Sequence, residues 1–349
     1  MSRTRPSIRR IAAAASLVLG ATLGLSACGS ASADSDGSNG SNGSASGLPS
    51  KIRIGYQLIT NGDLVVKNQK LLEKAFGDEV EVEWKQFASG GDVNTAIAAG
   101  SLDLGLAGSS PVSRGLSSGL DYQVPWIFDV IGTAEALVAK PGISSIKDLV
   151  GKTVATPLAS TSHYSLLAAL KDAGVDASKV KIIDSEPEAI LAAWSANQID
   201  AAYVWNPVLA ELTGGTTLID SAQLAAKGQT TYDLAVVATS FATKYAGAIQ
   251  TWINAQNEAI KQLKAGDQKA YDSIAAEVNI TPEEAEEQTK GLIFVDAAAQ
   301  AGDDYLGKVL PQNLFAAAQF NQQLGQVEKT AEEQAYTAAV VPTFAAAAK

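Results

Sequence analysis

A two-lobed α/β protein is the fold class this sequence predicts, and three observations predict it. From Lys51 onward, short strand-like runs alternate with helical patterns, the arrangement of strands wrapped by helices. That part of the chain is about 300 residues long, enough for two domains of ordinary size. Beyond about Phe241 the pattern becomes purely helical, as in "TWINAQNEAIKQLKAG" and "LFAAAQFNQQLG".

The first residues read as a leader, outside any fold. Arg3, Arg5, Arg9 and Arg10 precede an apolar run from Ile11 to Leu23, too short to span a bilayer as an ordinary helix. Leu25-Ser26-Ala27-Cys28 follows and resembles the lipobox of bacterial lipoproteins. The resemblance implies a signal peptide over 1–27, cleavage before Cys28, a diacylglycerol on its sulfur, and export. Cys28 is also the only cysteine, so one chain holds no disulfide and no Cys-based zinc site. Residues 28–50 are rich in Gly, Ser and Asn and bury too little apolar surface to fold. They read as a tether from the membrane, with a reach of about 25 Å.

Removing the four leader arginines from 26 basic residues leaves 22 against 37 acidic ones, a net charge of −15. No Lys/Arg cluster marks a basic face, which excludes a nucleic-acid binder. An anionic ligand must then be drawn by local dipoles, not by the overall field.

Strands are expected at 51–57, 81–87, 102–108, 122–130 and 135–140, then at 152–157, 180–185, 201–206 and 232–239. Their alternation with helices argues mainly parallel sheets. Helices are expected at 64–76, 92–99, 165–173, 188–196 and 206–212, and Thr281-Pro282-Glu283-Glu284 is a capped helix entry.

"TPLASTSHYSLLAALKDAG" raises the functional question. Ser160, Thr161 and Ser162, then His163, the only histidine, crowd the start of one helix, where a single cap would suffice. Orphan N–H groups and the positive dipole end make a helix start an anion site, and hydroxyls add donors. "LAGSSPVSRGL" repeats the theme, with Gly108 and Ser109 ahead of a capping Ser110 and Pro111 at the first helical position. Either could be an ordinary cap. Both follow a strand end, where ligands of open α/β sheets bind. A lone histidine excludes a zinc site but can donate to an oxyanion.

The segments "WKQFASGGDVNTAIAAGSLDLGLAGSSP", "GISSIKDLVGKTVATPLASTSHYSLLAALKDAGV" and "AILAAWSANQIDAAYVWNPVL" resemble the taurine-binding members of the nitrate/sulfonate/taurine family of solute-binding proteins of ABC importers. The resemblance covers nearly the whole chain from Lys51 on. It implies a type II periplasmic-binding-protein fold with the ligand cleft between lobes. The chain then crosses twice, near Val138 and Val236, giving lobe 1 as 51–137 and 237–349 and lobe 2 as 138–236. Ser109, Ser110, Thr161, Ser162 and His163 are expected at the sulfonate, and Glu135, Asp233 and the Trp205 ring at the ammonium. Gln57 is expected on the first-lobe wall. Asn206 departs from the small apolar residue the pattern leads one to expect.

The implied partners are taurine, an ABC permease with its ATPase, and the membrane through lipidated Cys28. No cofactor, metal or nucleic acid is called for, and a monomer is expected on the extracytoplasmic face. Alternatives are another aliphatic sulfonate, a nitrate-type anion, or a thiamine-pyrimidine-related binding protein or enzyme. Such enzymes use active-site histidine and cysteine residues, whereas this chain has one histidine and one cysteine, the latter expected to be lipidated. Ser144 and Lys147 match S-x-x-K without a companion motif. A surface adhesin would need no polar cleft.

Overall fold

The computed structural model describes residues 47–349. The leader, the lipidation of Cys28 and all of the tether before Gly47 lie outside the described residues. Among those residues no helix is long and apolar enough to cross a membrane.

The chain first lays down β1 (Lys51–Tyr56), β2 (Glu81–Gln86), β3 (Leu104–Gly108), β4 (Tyr122–Gln123) and β5 (Ile127–Ile131). It then builds β6 (Glu135–Ala139), β7 (Thr153–Thr156), β8 (Lys181–Asp184), β9 (Ala201–Trp205) and β10 (Thr216–Asp220), and returns for β11 (Tyr232–Ala238) and β12 (Leu292–Ile293). One sheet has the order β12-β5-β11-β3-β1-β2, with β4 also on β11; the other has the order β10-β6-β9-β7-β8.

Burial follows position. β3, "LGLAG", is buried at every residue, as a strand covered on both faces must be, whereas the edge strand β2, "EVEWKQ", is partly exposed throughout. Each sheet has its own core, with Leu104, Trp126, Phe128 and Trp252 in the first and Leu137, Val154, Leu166 and Tyr203 in the second. The helix Ala246–Ala265 lays Ile249, Trp252, Ile253 and Ile260 onto the first core. Each such side chain, fully buried, contributes about 1.5–3 kcal/mol.

Several expectations shift. The chain passes between the sheets at residues 132–134 and again between β10 and β11, so Val138 and Val236 lie inside β6 and β11, beyond the crossings. Both sheets are mixed, not mainly parallel. β11 runs antiparallel to β3 and β5, and β6 antiparallel to β9 and β10. These strands arrive from the other lobe without a helical crossover, which a parallel neighbour requires. The run 122–130 is two strands separated around Pro125, which has no N–H for a ladder. The helix expected over 64–76 breaks at Lys70, whose φ is +54°.

Candidate functional site

Between the two sheets lies a small polar slot lined by Gln57, Gly108, Glu135, Thr161, Trp205 and Asp233, among others. Each sits where a strand or helix ends. Gln57 follows β1 and donates from Nε2 to the Leu106 carbonyl at 3.0 Å. Gly108 closes β3 and caps the helix Ser109–Ser117; Thr161 opens the helix Thr161–Asp172. Glu135 begins β6, Trp205 ends β9, and Asp233 lies in β11 opposite Gly108. The two helix starts meet across the gap: a Cβ placed on Gly108 would lie 2.6 Å from Thr161 Cγ2. The free volume left is about 20 Å³, room for about one water molecule.

The crowded hydroxyls have a use that spacing alone did not suggest. Glu135 is 1% exposed, and its Oε2 accepts from Thr161 Oγ1 at 2.6 Å and Ser162 Oγ at 2.8 Å. Its Oε1 accepts from Ser221 Oγ at 2.8 Å and Ser165 Oγ at 3.4 Å. Burial pushes the Glu135 carboxyl up and these hydroxyls pull it down. Ser160 Oγ accepts from the His163 N–H at 3.1 Å, the ordinary cap. The helix therefore begins at Thr161, not Ser165, and Thr161 and Ser162 form its first turn. Their N–H groups precede the first backbone bond of the helix, from Tyr164 N to Ser160 O.

The expected residues divide accordingly. Gln57, Glu135, Thr161, Trp205 and Asp233 line the slot. Ser109, Ser110, Ser162 and His163 stand behind it. Ser109 Oγ accepts from Tyr232 N at 3.2 Å, and Asn321 Nδ2 donates to Ser110 Oγ at 3.5 Å. Gly108, not Ser110, is the cap of that helix, and it offers no side-chain bond. Ala159 N–H donates to His163 Nδ1 at 3.3 Å. Burial, with the nearby Arg114 charge, lowers His163 to about 4, so the ring is neutral at pH 7. Asn206 does line the slot.

Sequence reasoning missed Asp129. It lies on β5 directly opposite Asp233, is 0% exposed, and accepts at Oδ2 from Asn61 Nδ2 at 2.9 Å. One signal could have found it: a carboxylate inside "IFDVI", otherwise apolar and wholly buried. Burial raises Asp129 to about 7, and burial with the Asp129 charge raises Asp233 well above the carboxylate range. Neither Lys nor Arg appears among the residues lining the slot. Among the described residues no cluster of three or more His, Cys, Asp or Glu could hold a metal ion. The arrangement brings helix-start N–H groups, carboxyl groups and an indole into one slot.

Residues 77–270 match the family described as NMT1/THI5 like. The chain is 37% identical over 202 residues to the taurine-binding periplasmic protein of Escherichia coli K12, a match spanning 58% of this chain and 62% of that protein's length. Among solved structures it is similar to the alkanesulfonate-binding protein SsuA from Xanthomonas axonopodis pv. citri bound to MOPS, with TM-score 0.67 and 23% identity over 78% of this chain and 94% of that one. It is likewise similar to the periplasmic aliphatic sulphonate binding protein SsuA from Escherichia coli, with TM-score 0.66 and 22% identity over 82% and 92%. These likenesses show the two-lobed periplasmic-binding-protein fold.

Proposed function

This chain belongs to the NMT1/THI5-like family, and on that premise we propose that it captures taurine outside the cytoplasm and delivers it to the permease of an ABC importer. It is a binding protein in this reading, exported as a monomer and held to the membrane by lipid on Cys28.

The observation that supports the reading is one slot that gathers helix-start N–H groups, carboxyl groups and an indole, with neither Lys nor Arg in its lining. Taurine has a sulfonate at one end and an ammonium at the other. The sulfonate is assigned to the helix starts at Ser109–Ser110 and Thr161–Ser162, whose N–H groups and dipoles attract an oxyanion without lysine or arginine. In that reading Ser109, Ser110, Ser162 and His163 hold the two turns in place from behind. The ammonium is assigned to Asp233 and Trp205, next to Glu135 and Gln57. A zwitterion offers a cation to Asp233 as well as an anion to the helix starts, which favours taurine over a simple alkanesulfonate.

Magnitudes agree with a closed site. Taurine has about seven heavy atoms, so its binding is bounded near 10 kcal/mol, a Kd of roughly tens of nanomolar. Apolar burial supplies little of this, and charge-assisted hydrogen bonds in a dry cleft supply most. Free volume of about 20 Å³ is too small for such a ligand, so the lobes part to admit it and close upon it. Calorimetric titration tests the reading. Asp233→Ala is expected to weaken taurine while sparing 2-hydroxyethanesulfonate, and no heat from taurine with the wild type would end the proposal.

A further inference from the structure

We propose that Asp129 and Asp233 hold one proton between their carboxyl groups when the slot is empty and release it when the ligand's ammonium docks, so that capture is coupled to proton release. The inference rests on the function proposed above and adds Asp129 to it as a positioning residue. The two residues are paired directly across the β5–β11 ladder, both carboxyl groups are buried, and each acts electrostatically on the other. Asp129 is 0% and Asp233 5% exposed.

The partners on every side are known. From the loop after β1, Asn61 donates to Asp129 Oδ2, while the buried Asp129 Oδ1 has no hydrogen-bond partner. From β6, the Glu135 charge acts on both aspartates and raises both. Asp63, at the next helix start, is turned to Gln256 at 2.6 Å and feels Lys67. No Lys, Arg or His among the described residues contributes to either member of the pair. Two carboxylates this close, in low dielectric and without a counter-cation, cannot both ionise. A shared proton satisfies them in the empty slot, and only Asp233 faces the cavity.

Docking exchanges one cation for another. The carboxyl O–H bond breaks, its proton passes to water, and N⁺–H···O⁻ bonds form between the ammonium and Asp233. The ligand keeps all its protons. The Asn61 amide then holds Asp129 in place beside the ionised partner. A sulfonate without an ammonium has no such exchange to make.

The test is calorimetry of taurine binding at about pH 6.5, in two buffers of different ionisation enthalpy that contain no sulfonate. The apparent enthalpy is expected to differ between buffers by the heat of up to one proton, and taurine affinity to rise with pH while the pair holds its proton. 2-Hydroxyethanesulfonate is expected to bind without buffer dependence, and Asp129→Asn to lower the proton release on taurine binding. Equal taurine enthalpies in the two buffers would overturn the inference and leave the proposed function standing. Absence of taurine binding would overturn both. The wild-type comparison decides the matter even if the variant misfolds.

Discussion

Gly108 and Thr161 face each other across the gap between the sheets, so closely that a methyl group on Gly108 would lie 2.6 Å from Thr161 Cγ2. Gly108 has φ −64° and ψ 158°, a backbone that alanine adopts without strain. Gly108→Ala therefore tests closure and not folding. Overpacking of this kind costs about 1–3 kcal/mol. The variant is expected to keep its circular dichroism spectrum and to lose roughly tenfold or more in ligand affinity. Unchanged affinity would show that the helix starts need not approach this closely.

Glu135 gathers the hydroxyls of Thr161, Ser162, Ser165 and Ser221. Glu135→Gln keeps the shape but replaces one acceptor oxygen with a donor, leaving two hydroxyls poorly matched. Each buried group so orphaned costs about 1–3 kcal/mol. Thermal unfolding is expected to fall by several degrees, and ligand affinity with it, since Thr161 loses its anchor. An unaltered melting temperature would mean that the buried carboxylate is dispensable.

The buried acids also set a pH dependence for the unliganded protein. Asp63 and Asp129 are each raised to about 7, both mainly by burial, against ordinary values near 4. A carboxyl raised in the folded state contributes stability that is complete below its unfolded value and lost as pH rises through the folded one. The melting temperature is therefore expected to decline between about pH 4 and pH 7, over the window these groups define. Asp63→Asn should flatten that slope. A melting temperature that climbs over the same window would contradict the burial of these acids in protonated form.

Trp205 bridges packing and recognition. If its ring faces the ammonium, Trp205→Ala costs taurine about 0.5–2 kcal/mol more than it costs 2-hydroxyethanesulfonate, and Trp205→Phe recovers part of the difference. Equal losses for the two ligands would reduce the indole to a wall.

Much of this was legible in the sequence, for identifiable reasons. The strands from Lys51 to Trp205 announced themselves because buried strands are short apolar runs between polar helices. Thr281 caps its helix with Pro282 in the first turn, as the sequence promised, and Glu284 completes a capping box with Thr281. Other features depend on partners distant in the chain. β10 and β12 carry little pattern of their own and exist because β6 and β5 offer open edges. Thr161 and Ser162 read as anion donors, yet their hydroxyls face Glu135, a contact 26 residues and more away along the chain. Asp129 was invisible for the same reason, since its meaning arises only when β11 brings Asp233 alongside. Local spacing showed where the helix starts are. It did not show what their side chains answer to.

In the proposed function one slot recognises both charges of a zwitterion without a basic side chain. Calorimetric comparison of taurine with ethanesulfonate on the purified protein tests it most directly. Taurine is expected to bind about tenfold tighter or more, because one charge-assisted contact is worth about 1.5–3 kcal/mol. Equal affinity, or a preference for ethanesulfonate, would contradict the account.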